Sequence, residues 1–468
     1  MPYQNESAPR LGHVPTASSR AVQDAFARWE VVQAKPADES SITSLCVPVD
    51  SLATRTPAAG VRFTITVDGS EAEVEATREY PTVKVGYIRV AGSLLELGKL
   101  NEAGRGPFVD PRLVSEAHQA AAFDAALPGS GLVRPGSNGV DTWRAEVDHF
   151  LQTTRFDQES PLTLADALLT LHAPPGTPAT GVPLRTCPTC AVRYAPGNEP
   201  QVGHSGGLCP GCGSALYMSD VLRTHEEYLP EGSNQSAITR TMNVSERLMT
   251  LSYLDLFYAR ASKPADAFRS TLFVTDGPLA LFGTIAPLKR RFHEYLQGLS
   301  SWSDTQGLDL PLLVGVEKTG RFVEHADLIK EIIPEGHVMR LTTDYINRIT
   351  GRPIGNQYGT DEFYGRRFIY RTTAGDPLVI TVPPKHGVQP YEGVGAEDFE
   401  SYPTLRTVCE VLDQVRTRLY PNAVIPVALA HSSAALPLGV GQSVLRALAQ
   451  KGIGVPQDSQ IRYRPTYR

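Results

Sequence analysis

Residues 61–70 read VRFTITVDGS, a β-prone run that leads into an aspartate followed by glycine. Its alternating aromatic and β-branched side chains predict a strand. Residues 83–91, VKVGYIRVA, have the same character and predict an antiparallel neighbour for it. Two later runs, LFVT at 272–275 and LLVGV at 312–316, are predicted strands that alternate with predicted helices. This order predicts an α/β protein with a mixed sheet flanked by helices.

Apolar residues at helical spacing predict the helices that surround these strands. A long helix is predicted over residues 243–260, NVSERLMTLSYLDLFYAR, and shorter ones over 141–152 and 404–419. The alanine-rich segment 111–127 is also predicted to be helical, because alanine has the highest helix propensity. A last helix is predicted around His431.

The composition is that of an ordinary globular protein. Of 468 residues, 41% are hydrophobic and 20% are charged, which excludes wholesale disorder and a coiled coil. The net charge of −6 gives no overall basic field, so nucleic-acid binding would have to use local patches or metal ions. No apolar run approaches the ~18 residues of a membrane span, and residues 1–20 contain no apolar signal segment. We therefore expect a cytoplasmic protein that does not bind membranes.

Two Cys-x-x-Cys pairs follow a proline-rich linker at 172–183. The pairs, CPTC at 187–190 and CPGC at 209–212, are separated by 18 residues, a spacing typical of zinc sites. Each pair can present two thiolates from one tight turn, and two pairs complete a tetrahedron of sulfurs. The sequence therefore predicts a zinc-ribbon module inserted at 172–216.

The predicted ligands of a structural zinc ion are Cys187, Cys190, Cys209 and Cys212. A zinc ion closed in by four thiolates has no open position for catalysis. Two alternatives are vestigial knuckles and a redox pair, and His204 could replace one of the cysteines.

Two aspartates follow β-prone runs and precede glycine: Asp68 in ITVDGS and Asp276 in FVTDGP. Asp-Gly often starts a turn, so each aspartate alone has a purely structural explanation. Acidic groups at strand ends of one sheet can instead converge on a divalent ion, and Mg²⁺ and Mn²⁺ prefer such oxygen ligands. Such ions can activate water and stabilise the leaving oxygen in phosphodiester cleavage.

A third carboxylate could come from the long predicted helix, where Asp255 and Glu246 are the candidates. They are nine positions apart, which is about 900° of helical turn, so they face opposite sides of the helix. Only one of them can therefore join the site, and the alternative for each is a solvated position on the helix surface.

His431 and Lys318 complete the candidate catalytic set. His431 lies in the apolar segment VALAHSSAAL, where it is either a core histidine or a metal ligand or proton-transfer group. Lys318 follows the predicted strand in VGVEKTG, where it is either a surface lysine or a phosphate contact.

Four segments, taken in order, resemble the NurA family of nucleases. They are ITVDGS with the following VKVGYIRVA, then LFVTDGPLALFG, LLVGVEKTGR and LYPNAVIPVALAH, spanning roughly residues 61–435. The resemblance implies an RNase H-like core, DNA cleavage that depends on Mn²⁺ or Mg²⁺, a ring-like homodimer and a partner, the hexameric translocase HerA. This chain contains no GxxxxGK[ST] motif, so a translocating nuclease would need its motor from another protein.

On this resemblance, Asp68 and Asp276 match the two metal-binding aspartates of the family, His431 its C-terminal histidine, and Lys318 the lysine after an internal strand. The third acid of the family is a glutamate a little under twenty residues before the second aspartate. Here Asp255 is 21 residues upstream of Asp276 and Glu246 is 30 upstream, so the spacing favours Asp255. The cysteine module is not a general family feature.

These observations predict an N-terminal helical or irregular segment at 1–60, a nuclease core in two parts at 61–171 and 217–468, and the insertion at 172–216. The predicted function is a metal-dependent DNA nuclease that acts with a ring ATPase in DNA repair by end processing, or in antiviral defence. Two alternatives are a catalytically silent DNA-binding scaffold for such an ATPase and an Argonaute-like RNase H nuclease.

Overall fold

The computed structural model describes residues 13–29, 39–77, 82–103, 111–156, 161–177, 179–417, 424–436 and 440–454. Residues 1–12 and 30–38 of the predicted N-terminal segment lie outside them. The strands are β1 (Cys46–Pro48), β2 (Phe63–Glu75), β3 (Lys84–Glu96), β4 (His118–Pro128), β5 (Val182–Pro183), β6 (Gln201–Val202), β7 (Gly207–Leu208), β8 (Ala215–Leu216), β9 (Thr271–Asp276), β10 (Leu313–Glu317), β11 (His337–Arg340), β12 (Arg366–Arg371) and β13 (Pro377–Val382).

The α-helices are α1 (His13–Ala17), α2 (Arg20–Phe26), α3 (Glu39–Thr43), α4 (Leu97–Ala103), α5 (Pro111–Ala117), α6 (Gly139–Thr153), α7 (Leu164–Thr170), α8 (Gln235–Arg260), α9 (Pro264–Arg269), α10 (Lys289–Thr305), α11 (Arg321–Ile329), α12 (Thr343–Thr350), α13 (Leu405–Gln414), α14 (Ile425–Ala434) and α15 (Val440–Gly452). Across the described ranges, none of these helices combines the length and the apolar character that a membrane span requires.

A nine-stranded mixed sheet organises the chain, in the order β1-β11-β12-β13-β10-β9-β2-β3-β4. The three strands β2, β9 and β10 run parallel to one another. All other neighbours in this sheet pair antiparallel. The prediction of a mixed sheet flanked by helices is confirmed.

Both faces of the sheet are covered, because alternate side chains of a strand point to opposite faces. In β12, Phe368 and Tyr370 belong to the large core, whereas Ile369 between them belongs to a second, smaller core. The large core is built with α6, α7, α8, α10 and α13, and the smaller one with α11 and α12.

The sequence predicts a single helix over the alanine-rich segment 111–127, and this prediction is wrong. Helix α5 ends at Ala117, and residues from His118 onward form the edge strand β4, paired along its length with β3. Pairing with a long neighbouring strand outweighs the helix propensity of alanine, which is a weak preference of under ~1 kcal/mol per residue. The C-terminal end also differs from the prediction, since α15 follows the helix that contains His431.

The cysteine-containing segment packs directly against the main core. Cys187 and Cys209 are buried in the same apolar cluster as the sheet and α6. On α6, the buried guanidinium of Arg144 donates to both carboxylate oxygens of Asp220 at 2.8 Å and to the carbonyl oxygen of Ala215, also at 2.8 Å. The cysteine-containing segment is therefore tied to the body of the protein by buried polar and apolar contacts.

Candidate active site

Asp68 and Asp276 lie side by side because their strands are parallel and in register. Val67 of β2 lies opposite Thr275 of β9, so the next residue on each strand is an aspartate. Neighbouring residues at equal register point to the same face of a sheet. The sequence predicts that Asp68 ends its strand, and this prediction is wrong: β2 continues through Gly69 to Glu75. The carboxylates still meet, because β9 ends at Asp276.

His431 joins this pair from α14. Its Nδ1 lies 3.0 Å from Oδ2 of Asp68, and ligand atoms of His431, Asp68 and Asp276 all lie within 4.8 Å of one another. The His431 side chain is 62% exposed, so it is not a core histidine. Helix α14 is held in place by Ser70, whose hydroxyl donates to the carbonyl oxygen of Ala434 and accepts from the backbone N–H of Leu436.

Lys318, just beyond the end of β10, lies on the other side of Asp276. Its Nζ is 2.8 Å from Oδ2 of Asp276, and both side chains are about one-quarter exposed. The lysine therefore pairs with a site carboxylate and is not an isolated surface residue.

Glu246, and not Asp255, lies beside the aspartates. Glu246 lines the same cavity as Asp68 and Asp276, on a face of α8 that approaches β2 at Gly69. A Cβ atom at Gly69 would come within 2.8 Å of Oε1 of Glu246, so a larger residue there would displace the end of that side chain. Asp255 instead accepts a hydrogen bond from the hydroxyl of Tyr295 at 3.0 Å and does not line the cavity.

The preference for Asp255 that followed from spacing is therefore corrected by the geometry. Spacing along the chain counts residues, but the angular position on the helix decides which side chain faces the sheet.

The carboxyls of Asp68 and Glu246 are buried in an acidic environment. Burial raises the pKa of Glu246 to about 8, with smaller contributions from Asp68, Asp276 and Glu71, while Arg247 opposes the shift. Burial and the carboxylate of Asp276 raise the pKa of Asp68 to about 6. Clustered carboxyls with raised pKa values repel one another when ionised, and a divalent cation would relieve that repulsion.

Arg247 belongs to the site although the sequence analysis did not identify it. Its Nη2 donates to the carbonyl oxygens of Asp276 at 3.2 Å and Pro278 at 3.1 Å, which fixes the turn after β9. Its Nη1 lies 3.9 Å from Oε2 of Glu246. The side chain is buried, and its Nε and Nη1 have no hydrogen-bond partner in the described part of the chain. The sequence shows a charged residue next to Glu246 in the long helix, but it does not show the carbonyl oxygens that this residue contacts.

Glu317 also lines the cavity, but its charge is already paired. Arg367 donates to it from Nε at 2.6 Å and from Nη2 at 3.1 Å, and both side chains are buried. Because this pair is bidentate, the charge of Glu317 is already balanced within the protein.

The cavity that contains these groups has a volume of about 930 Å³. Part of its wall is charged and part is apolar. The apolar lining residues are Met242, Pro278, Ala280, Leu281, Phe282 and Ala428.

The four predicted zinc ligands form a second cluster, separate from this cavity. Cys187 and Cys212 have their sulfurs 3.9 Å apart, those of Cys190 and Cys209 are 3.8 Å apart, and all four lie within 4.8 Å of one another. Four sulfurs at about 2.3 Å from one zinc ion would stand about 3.8 Å apart, so the cluster fits a tetrahedral ion.

His204 is not part of this cluster. Its Nε2 lies 3.0 Å from Oδ1 of Asp166.

Comparison with known proteins does not identify a family for this chain. No protein-family model matches the chain, and no curated protein matches it. Among solved structures, that of the NurA nuclease from Sulfolobus solfataricus aligns over 97% of this chain and 99% of that chain, with 8% sequence identity and a TM-score of 0.36. At these values, the likeness establishes neither family membership nor function. The fold and the site define the chain as a mixed α/β protein with a clustered carboxylate–histidine centre.

Proposed function

We propose that this chain is a divalent-metal-dependent nuclease that hydrolyses phosphodiester bonds of DNA. The observation that carries the proposal is the convergence of Asp68, Asp276 and His431, with Glu246 and Lys318 beside them, in one open cavity. These side chains come from strands and helices far apart in the sequence, so their proximity is a property of the fold.

Asp68, Asp276 and Glu246 are the residues that would hold Mn²⁺ or Mg²⁺. Their hard oxygen donors suit these ions, and the crowding of buried carboxyls is the feature that a cation would offset. A bound ion would polarise the phosphodiester and lower the pKa of bound water. Asp255 would have no direct part.

His431 and Lys318 have complementary roles in the proposed reaction. His431 is oriented by Asp68 on one side and exposed on the other, so its ring can exchange a proton with substrate or solvent. Lys318 places a positive charge at the cavity, where it can contact a phosphate oxygen. Arg247 keeps the Asp276 turn in position.

Further parts of the proposal derive from the sequence resemblance to NurA nucleases. They are an RNase H-like core in two parts, 61–171 and 217–468, a homodimer, and a HerA-like hexameric translocase as the partner in DNA end processing or defence. The cysteine module at 172–216 would bind one structural Zn²⁺ per chain.

The decisive experiment incubates the purified chain with linear duplex and single-stranded DNA in Mn²⁺, in Mg²⁺ and in EDTA. We expect cleavage with at least one of the two ions and none in EDTA. Binding of DNA without cleavage in either ion would contradict the proposal and would favour the scaffold alternative.

A further inference from the structure

An exposed aromatic ring lines the apolar part of the cavity wall. Phe282 is 41% exposed, and its neighbours along the wall include Met242, Ala280 and Leu281. The other exposed Phe and Trp side chains in the described ranges, Phe26 and Trp29, do not line the cavity.

The backbone just before Phe282 is fixed to a neighbouring loop. Ala280 pairs with Phe363 in an isolated β-bridge, and the backbone N–H of Leu281 donates to the carbonyl oxygen of Glu362 at 2.9 Å. The ring of Phe282 packs edge to face on that of Phe363, with centroids 5.7 Å apart and an interplanar angle of 84°. One edge contact therefore orients the ring while part of its surface stays open to the cavity.

The backbone just after Phe282 is held by the carboxylate of Glu227, which accepts several hydrogen bonds. Its Oε1 accepts from the backbone N–H of Thr284 at 3.3 Å, from the hydroxyl of Thr284 at 3.0 Å and from Nε of Arg240 at 3.2 Å. Gly283 between them has a φ of +73°, and the Arg240 guanidinium occupies the space where a Cβ would stand. The loop is thus held on both sides of the exposed ring.

We propose that Phe282 is a stacking platform for the base of an unpaired nucleotide whose phosphate lies at the acidic cluster. This inference rests on the proposed nuclease function and narrows its substrate to single-stranded DNA or frayed DNA ends. Every base offers an apolar π face, so such a platform is tolerant of sequence. In an intact duplex both faces of an internal base are covered by its neighbours, so a platform of this kind selects unpaired strands.

The test measures binding, separately from cleavage, in an Asp68→Asn background that keeps the DNA intact. The probes are a fluorescein-labelled single-stranded oligonucleotide, the matching duplex, and a set of single-stranded oligonucleotides that each carry one abasic position. Fluorescence anisotropy gives the Kd of each probe for the Asp68→Asn protein, called the parent, and for the parent with Phe282→Ala, Phe282→Leu or Phe282→Trp added. Phe26→Ala is the matched control, an exposed phenylalanine outside the cavity.

We expect Phe282→Ala to weaken single-strand binding by roughly 5- to 150-fold, the range for the loss of one stacked base. Phe282→Leu should lose nearly as much although it keeps an apolar side chain, whereas Phe282→Trp and Phe26→Ala should bind like the parent. Within the set of abasic probes, the one that lacks the stacked base should bind more weakly to the parent. The same probe should show no further loss with Phe282→Ala, because the ring that stacks on that base is already absent.

Parent-like binding by Phe282→Ala, or a loss that is the same for every abasic probe, would overturn the inference. So would parent binding as tight to the duplex as to the single strand. If the wild-type chain cleaves DNA but Phe282 has no effect, the stacking inference fails alone. If the binding pattern holds but no ion supports cleavage, the nuclease proposal fails and the stacking site stands.

Discussion

Nδ1 of His431 lies 3.0 Å from Oδ2 of Asp68, although 363 residues separate them along the chain. The contact joins helix α14 to strand β2 of the central sheet. It leaves the histidine ring both oriented and open to solvent, which is the arrangement that a proton-transfer group needs.

If His431 transfers a proton in the proposed reaction, its removal should slow the reaction without unfolding the protein. We expect His431→Ala to lower the cleavage rate by roughly 10²- to 10⁴-fold, the usual range for general acid–base groups. The measurement is the single-turnover rate on a labelled oligonucleotide. His149→Ala, an exposed histidine on α6 away from the cavity, is the matched control and should cleave at the wild-type rate. Equal rates for both variants would remove His431 from the mechanism.

The two candidate acids of α8 make a direct comparison possible. We expect Glu246→Gln to lower the cleavage rate by more than about 100-fold, because even outer-shell partners of metal ligands are worth 10–100-fold. Asp255→Asn should leave the rate almost unchanged and affect stability alone, through its hydrogen bond with Tyr295. Rates and thermal midpoints of both variants check this, and a severe loss of rate only in Asp255→Asn would contradict the assignment.

Removal of zinc should destabilise the main core as well as the cysteine module, because Cys187 and Cys209 are buried in that core. We expect about one equivalent of zinc per chain by elemental analysis, and loss of that zinc with a lower thermal midpoint in Cys187→Ser. Cys46→Ser is the control, since Cys46 lies outside the four-cysteine cluster. A wild-type protein that is free of zinc when prepared without chelators would refute the proposed site.

Stability should fall on acidification through His293, which is buried on α10 near Lys289. Burial, and to a lesser degree the charge of Lys289, lowers its pKa from 6.5 to about 4. Between pH 4 and 6.5 the unfolded chain therefore holds a proton that the folded chain lacks, so stability is lost as the pH falls through this window. At pH 5 this one histidine would lower the free energy of unfolding by about 2 kcal/mol relative to pH 8.

The measurement for His293 is chemical unfolding at several pH values in the wild type and in His293→Gln. The variant removes the titrating group but keeps a polar side chain, so its stability should decline less between pH 6.5 and 4. Parallel pH profiles for the two proteins would show that His293 does not contribute.

The sequence predicted four strands of the central sheet, β2, β3, β9 and β10, because their runs are apolar and rich in β-branched residues. It also identified Asp68, Asp276 and Lys318, because each follows a β-prone run. His431 was identified as a polar residue in an apolar helical segment, and the structure brings it together with the other three. Their catalytic roles in the proposed reaction are predictions.

Three features were beyond sequence reasoning, and each has a physical reason. Residues 118–128 have alanine-rich helical composition, but a long partner strand decides their conformation. The choice between Glu246 and Asp255 depends on the rotation of α8 about its axis, which spacing does not give. Arg247 is recognisable only once the turn after β9, whose carbonyl oxygens it binds, has been placed beside it.

The central claim is that Asp68 and Asp276 hold the catalytic metal ion, and the most direct test is the Mn²⁺-dependent cleavage rate of Asp68→Asn and Asp276→Asn. A change from carboxylate to amide keeps the shape and removes the charge that binds the ion. We predict that each variant folds, retains its zinc and loses cleavage, while Asp124→Asn, an exposed aspartate on β4, cleaves at the wild-type rate. Full nuclease activity in Asp68→Asn would contradict the account, because the active site would then lie elsewhere.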